Sequence, residues 1–221
     1  MYRYFTDELT ARIERSGVMA VLVVENPEDG PEVARALLRG GINVMELALR
    51  TEKSLEALER IRKEVPEMLA GVGTILRPDQ VDSAIDAGAK FGVSPGLSEA
   101  VLERALDRKF PFAPGLLSPS ELEKAISYGC RNVKLFPSEP MGGVKYIKAI
   151  YAPYAHLGIR FIPLGGLKLA NLGDYLAEPS ILAAGGSWLA PKNLIAQHDW
   201  ETIERNATDA HQKVLEFRKQ G

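Results

Sequence analysis

VMAVLVVENPEDGPEVARALLRGGINVMELALRT, residues 18–51, holds two short apolar runs with an amphipathic stretch between them. Residues 18–24 and 43–49 are rich in β-branched and aliphatic side chains. Residues 31–39 place apolar positions at helical spacing. Strand, helix, strand in this order is a βαβ unit, which implies parallel strands. The same alternation continues outward in both directions. Further apolar runs stand at 68–73, 90–93, 111–114, 132–137, 160–163 and 181–184. Helical stretches stand at 52–63, 78–87, 99–106, 120–128, 143–152 and 169–177. Eight such units in about 170 residues predict an α/β protein, a single (β/α)8 TIM barrel. The competing arrangement is an open doubly wound sheet. Its G-x-G-x-x-G turn after the first strand is absent; Glu25-Asn26-Pro27 stands there. A helix at 5–16 is expected before the first strand and another at 200–219 after the last. The expected organisation is one domain: N-terminal helix 1–17, barrel core 18–191, C-terminal helix 192–221.

Local signals agree with this parsing. Ser118-Pro119-Ser120-Glu121 reads as a helix cap with proline in the first turn, and Thr51 precedes another helix start. Gly88, Gly129 and the pair Gly40-Gly41 follow helical runs, as terminating glycines do. The 221 residues are 46% hydrophobic and 25% charged, values of a globular chain and not of a disordered or fibrous one. A net charge of −2 with no basic block argues against nucleic acid as a partner. No apolar run approaches the ~18 residues of a membrane span. The first residues lack the apolar centre of a secretory signal, and Cys130 is the lone cysteine, so the expected compartment is the cytoplasm. His156, His198 and His211 show no metal-ligand spacing, and no metal is expected. Trp188, Trp200, Tyr151, Tyr154 and Cys130 read as packing residues.

Two runs carry charge where a parallel strand covered on both faces should be apolar. The second reads Val44-Met45-Glu46-Leu47-Ala48-Leu49-Arg50, the sixth Asn132-Val133-Lys134-Leu135-Phe136. Alternation along a strand puts Glu46 with Val44, Ala48 and Arg50, and Lys134 with Asn132 and Phe136. Met45, Leu47 and Leu49 suit the helix-facing side. Glu46, Arg50 and Lys134 are therefore expected inside the barrel, toward its C-terminal mouth. A buried ion pair at best breaks even in stability. A structural ion pair is one reading. The other is chemistry: a desolvated lysine gains neutral amine, attacks a ketone and forms a Schiff base, while a nearby carboxylate moves protons. Arginine would fork onto a substrate carboxylate, so a keto acid is the small-molecule partner this set suits.

Glycines cluster at run ends: Gly71-Val72-Gly73-Thr74, Ser94-Pro95-Gly96, Pro114-Gly115, Gly165-Gly166 and Gly185-Gly186-Ser187. Each alone fits a tight turn. The last two follow the seventh and eighth runs, where barrels bind phosphate with backbone N–H groups and a short helix start. Ser187 adds a hydroxyl, and an extra helix is expected to begin at Ser187-Trp188-Leu189. Thr74 is placed to share a carboxylate with Arg50.

Taken as an ordered set, these motifs resemble the class I 2-keto-3-deoxy-6-phosphogluconate (KDPG) aldolase family, whose members often also cleave 4-hydroxy-2-oxoglutarate (KHG). The likeness runs from about Val18 to Pro191. It rests on VMELALRT around Glu46, on Gly71-Val72-Gly73-Thr74 and Ser94-Pro95-Gly96-Leu97, and on Val133-Lys134-Leu135-Phe136-Pro137. Gly142-Gly143, Gly165-Gly166 and Gly185-Gly186-Ser187-Trp188 complete it. The resemblance implies Lys134 as the Schiff-base lysine and Glu46 as general acid/base. It implies Arg50 and Thr74 as the pyruvate carboxylate site, Pro95 and Phe136 as the lining around the imine, and Gly165, Gly166 and Ser187 as the phosphate site. It also implies a homotrimer and no metal or other cofactor. One departure stands out. The family commonly reads Pro-Thr-Gly-Gly where this chain has Pro163-Leu164-Gly165-Gly166, which bears on how the aldehyde half is held. Two alternatives stay open: an aldolase for another 2-keto-3-deoxy acid, such as the galactonate epimer, and a non-catalytic barrel that binds a phosphorylated metabolite.

Overall fold

Seven of the eight expected apolar runs contribute a parallel strand, the eighth contributes only its last residue, and helices lie between the strands along the chain. The computed structural model describes residues 4–220; residues 1–3 of the expected N-terminal segment, and residue 221, lie outside the described residues. In chain order the elements begin with α1 (Asp7–Ser16), β1 (Val18–Leu22), α2 (Asp29–Arg39), β2 (Val44–Ala48), α3 (Ser54–Glu64), β3 (Leu69–Gly73) and α4 (Pro78–Asp86). Then come β4 (Gly92–Val93), α5 (Glu99–Asp107), β5 (Phe112–Ala113), β6 (Gly115–Leu116), α6 (Pro119–Ser127), β7 (Asn132–Leu135) and α7 (Gly143–Tyr151). The last are β8 (Arg160–Pro163), α8 (Leu172–Leu176), β9 (Ala184–Gly186), α9 (Lys192–Ala196) and α10 (Trp200–Gln220).

The strands are apolar because both faces are covered. All five residues of β2 and of β3 are buried, and Met45 and Leu47 are among the largest fully buried side chains. Each such side chain contributes roughly 1.5–3 kcal/mol on leaving water. The cap at Ser118 forms as the sequence suggests. Its hydroxyl accepts from the Glu121 N–H at 3.3 Å, and the Glu121 carboxylate accepts from the Ser118 N–H at 2.8 Å. Those backbone and hydroxyl hydrogen bonds hold the Glu121 carboxyl below its usual range against the opposing effect of burial. Gly41, Gly88 and Gly129 take left-handed φ values of 87°, 88° and 86°. Gly40 does not; it is there because α10 lies close, with Ala207 Cβ only 2.4 Å from where a Gly40 Cβ would stand.

The expected single ring of eight strands resolves into two curled parallel sheets, ordered β5-β4-β3-β2-β1-β9 and β6-β7-β8. Two local causes are visible. Pro114 separates β5 from β6 and has no N–H to give the ladder, so β5 pairs with β4 and β6 with β7. Its carbonyl still accepts from the Lys134 N–H at 2.9 Å. At the other edge the run 181–184 is mostly irregular, and the strand begins at Ala184. A single bridge, Phe161 to Ile181, crosses to β8 there, with hydrogen bonds of 2.8 Å from Phe161 N–H to the Ser180 carbonyl and from Leu182 N–H to the Phe161 carbonyl. Thr51 is not the cap of α3, which starts three residues later; its hydroxyl donates to the Val24 carbonyl at 2.9 Å. The short helix expected at Ser187 starts later, at Lys192.

Candidate active site

Glu46 lies on β2 in register with Val21 of β1 and Gly71 of β3. Lys134 lies on β7 in register with Gly115 of β6 and Ile162 of β8. The two belong to different sheets, yet both side chains turn into the space the sheets enclose. Lys134 Nζ donates to Glu46 Oε1 at 3.0 Å and Oε2 at 3.2 Å, and the residues are 5% and 1% exposed. Amine and carboxylate therefore share one buried interior, as alternation along β2 and β7 predicts. Removing one partner of such a pair would strand the other charge, at about 3–5 kcal/mol.

The carboxylate needs room, and Gly73 supplies it. A Cβ at Gly73 would stand 1.6 Å from Glu46 Oε1 and 2.3 Å from its Cδ. Gly71 serves a different neighbour: a Cβ there would meet the Phe91 ring at 2.3 Å. The Gly-Val-Gly stretch thus accommodates a carboxylate and an aromatic ring. Thr74 follows with φ 64°, a conformation that costs a β-branched residue energy.

A cavity of about 420 Å³ opens from the Glu46–Lys134 pair toward the C-terminal ends of the strands. Arg50, Phe136, Gly165, Gly166 and Ser187 line it, as do Leu164, Lys168 and Trp188. Lys134 Nζ lies 5.6 Å from the centre of the Phe136 ring. Leu164 is buried and forms an apolar wall of the cavity. Two other grooves, of about 290 and 310 Å³, lie beside Arg160, the first residue of β8, and do not reach Lys134. Position at the C-terminal ends of strands is where barrel enzymes keep their chemistry.

Gly165 and Gly166 have φ values of 92° and 87°, and the Phe136 ring would touch a Gly165 Cβ at 3.0 Å. The segment after β7 holds this turn from outside. Ser138 N–H donates to the Leu164 carbonyl at 2.8 Å and Glu139 N–H to the Gly165 carbonyl at 3.0 Å. Behind them Tyr175, on α8, donates to the Glu139 carboxylate and lies 3.1 Å from the Ser138 hydroxyl. Burial and the Glu139 carboxylate push its phenol above the usual range.

Of the residues singled out in the sequence, Lys134, Glu46, Arg50, Phe136, Gly165, Gly166 and Ser187 come together around this cavity. Thr74 and Pro95 are not among its lining residues. Pro95 is half-buried, and its carbonyl would stand 2.4 Å from a Cβ at Gly115. Trp188, read from the sequence as packing, also lines the cavity, its ring laid against Gly186. The sequence alone assigns Gly73 and Lys168 no roles of their own. A glycine two residues from another on a strand was the available signal for the first; a cation just after a glycine pair was the signal for the second. Cys130 is buried at 1% exposure, and desolvation pushes its thiol up to about 12.

Comparison with known proteins agrees with the geometry. Residues 9–206 match the family model described as KDPG and KHG aldolase. The chain is 42% identical over 193 residues to the KHG/KDPG aldolase of Escherichia coli K12, covering 87% of this chain and 90% of that one. It is 38% identical over 217 residues to the 2-dehydro-3-deoxy-phosphogluconate aldolase of Pseudomonas aeruginosa, covering 96% and 98%. In structure it resembles the KDPG aldolase of Legionella pneumophila, solved with pyruvate captured as a covalent carbinolamine intermediate. The TM-score is 0.87 at 34% identity, covering 91% of this chain and 97% of that one.

Proposed function

Because this chain belongs to the KDPG and KHG aldolase family, and is thereby a carbon–carbon lyase, we propose that it cleaves KDPG through a Schiff base on Lys134. The products are pyruvate and glyceraldehyde 3-phosphate. The same chemistry extends to KHG, giving pyruvate and glyoxylate. One observation carries the reading: the Lys134 amine and Glu46 carboxylate meet at 3.0 Å, buried, at the floor of a cavity with cations at its rim.

The steps follow from that placement. Glu46 takes a proton from the Lys134 ammonium, and the neutral amine attacks C2 of the keto acid. Glu46 returns that proton to the carbinolamine hydroxyl, which leaves as water; this regenerates the carboxylate and leaves an iminium that draws electrons from C3. Glu46, directly or through a water, removes the proton from the C4 hydroxyl. The C3–C4 bond breaks, its electron pair passes into the enamine, and the aldehyde departs. Protonation at C3 and hydrolysis release pyruvate and restore the amine. Arg50 forks onto the pyruvate carboxylate, with Thr74 beside it. Phe136 and Pro95 line the imine, and Gly165, Gly166 and Ser187 hold the phosphate. Thr74 and Pro95 enter this assignment from their motifs, and Thr74 adjoins the glycine that makes room for Glu46. The chain's own ionisable groups suffice for each proton transfer in this scheme.

The same reading takes the two sheets as one closed (β/α)8 barrel. Its support is the Pro114 carbonyl hydrogen bond to β7 at one seam and the Phe161–Ile181 bridge at the other. A homotrimer and a cytoplasmic location belong to it as well. The first is supported by family resemblance and the second by a lone, unpaired Cys130. Light scattering of the purified protein tests the trimer. For substrate choice, pyruvate release from KDPG, its galactonate epimer and KHG is measured side by side. Leu164 keeps the epimer in the comparison. Higher kcat/KM for KDPG than for the epimer supports the assignment; the reverse order assigns the enzyme to the epimer.

A further inference from the structure

The cavity holds more positive charge than the imine chemistry uses. Four ionisable side chains line it: Glu46, Lys134, Arg50 and Lys168. Glu46 and Lys134 neutralise one another at 3.0 Å. That leaves two cations, Arg50 and Lys168, both exposed at the rim. Among the described residues neither has a salt-bridge partner, and no carboxylate other than Glu46 lines the cavity to neutralise them. Arg50 follows β2, beside Glu46. Lys168 follows β8 and the Gly165-Gly166 turn, so the two approach from different walls. A local brace sets the backbone at Lys168: its N–H donates to the Asn171 side-chain oxygen at 2.8 Å. Leu164 lines the same cavity with apolar surface, its Cδ2 only 2.2 Å from where a Gly185 Cβ would be. That wall gives a substrate no hydrogen bond, so polar recognition at this end falls to the glycine turn, Ser187 and Lys168.

We propose that Lys168 is a specificity-determining residue, the cation that reads the anionic group at the end of the substrate remote from the keto acid. Two unpaired cations on separate walls suit a molecule with an anion at each end, one for Arg50 and one for Lys168. This rests on the keto-acid reading above. It adds that phosphate on the aldehyde half is selected by charge at a side chain, in addition to backbone N–H groups.

The test compares wild type, Lys168→Met and Lys168→Arg on KDPG and on its unphosphorylated counterpart, 2-keto-3-deoxygluconate. Lys168→Met is expected to lower kcat/KM for KDPG on the order of 10-fold, mostly through KM, as loss of a charge-assisted contact at a wet rim should. On 2-keto-3-deoxygluconate the same variant is expected to match wild type within about twofold. Lys168→Arg should restore most of the loss on KDPG. An unchanged kcat/KM for KDPG, or an equal fall on both substrates, overturns the assignment. Borohydride trapping with pyruvate, run on the same variants, keeps the two levels apart. Loss of trapping in the wild type would defeat the Schiff-base reading itself, while normal trapping with no phosphate effect would defeat only the role of Lys168.

Discussion

Replacing Gly73 with alanine adds one methyl group at the most sensitive point of the site. The new Cβ would start 1.6 Å from Glu46 Oε1. Ordinary contact begins near 3.4 Å, so the carboxylate must retreat by about 2 Å. Its hydrogen bond to Lys134, 3.0 Å in the wild type, does not survive a shift of that size. Misplacement by ~1 Å already costs about 10²-fold in rate, and a positioned acid/base is worth roughly 10²–10⁴-fold. The expected fall in kcat is therefore about 10²–10⁴-fold, or roughly 3–5 kcal/mol of barrier. Loosening the buried pair also lowers stability, by up to about 3–5 kcal/mol. Circular dichroism and a denaturant melt must accompany the assay, which couples pyruvate release to NADH oxidation by lactate dehydrogenase. Gly173→Ala on α8 is the control. Its Cβ would meet only Lys213 Cε at 3.6 Å, so turnover stays the same and stability rises by about 0.5–1 kcal/mol. A folded Gly73→Ala enzyme with kcat within about threefold of wild type would refute the claim that this carboxylate, in this position, moves the proton.

Three further expectations are more local. Glu46→Gln keeps the side chain's shape and removes its charge; cleavage should slow by roughly 10²–10⁴-fold while some imine still forms with pyruvate, and a near-normal rate would remove Glu46 from proton transfer. Cys130 should resist Ellman's reagent at pH 8 in the native protein and react fully after unfolding, because its buried thiol stays protonated until about pH 12. Since that folded value lies above the unfolded one, the contribution of this protonated thiol to stability is whole below about pH 9 and is lost as pH rises to about 12; rapid native labelling at pH 8 would contradict both points. Ser118→Ala breaks the capping box of α6 and should cost about 1 kcal/mol in a denaturant melt, with no change in turnover; a loss below a few tenths of a kcal/mol would mean the cap is redundant.

The charged interior was legible because of two rules that short sequences carry well. Alternation along a strand places side chains by count alone, so Glu46 and Lys134 could be put on the inner faces of β2 and β7 without coordinates. Burial makes a charge in an apolar run conspicuous. Arg160–Pro163 appears as a strand with the bounds its composition suggests. What stayed hidden depends on distance through space. Nothing in the neighbourhood of Gly73 says that a carboxylate 27 positions earlier will occupy its missing side chain. The break between β5 and β6 turns on Pro114, where lack of an N–H interrupts a ladder that its carbonyl still joins. The late start of β9 follows the turn at Glu178 to Ser180, where the Glu178 carboxylate accepts from both the Ser180 N–H and hydroxyl. Lys168 could not be assigned from its position alone, since an exposed lysine in a loop is ordinary until a cavity is found beside it.

The most direct measurement is covalent. The protein is incubated with pyruvate, reduced with borohydride, digested and mapped by mass spectrometry. A reduced pyruvyl adduct on the peptide containing Lys134, absent without pyruvate and absent in Lys134→Ala, is the expected result. An adduct on a different lysine, or none while the enzyme still releases pyruvate from KDPG, would contradict the account.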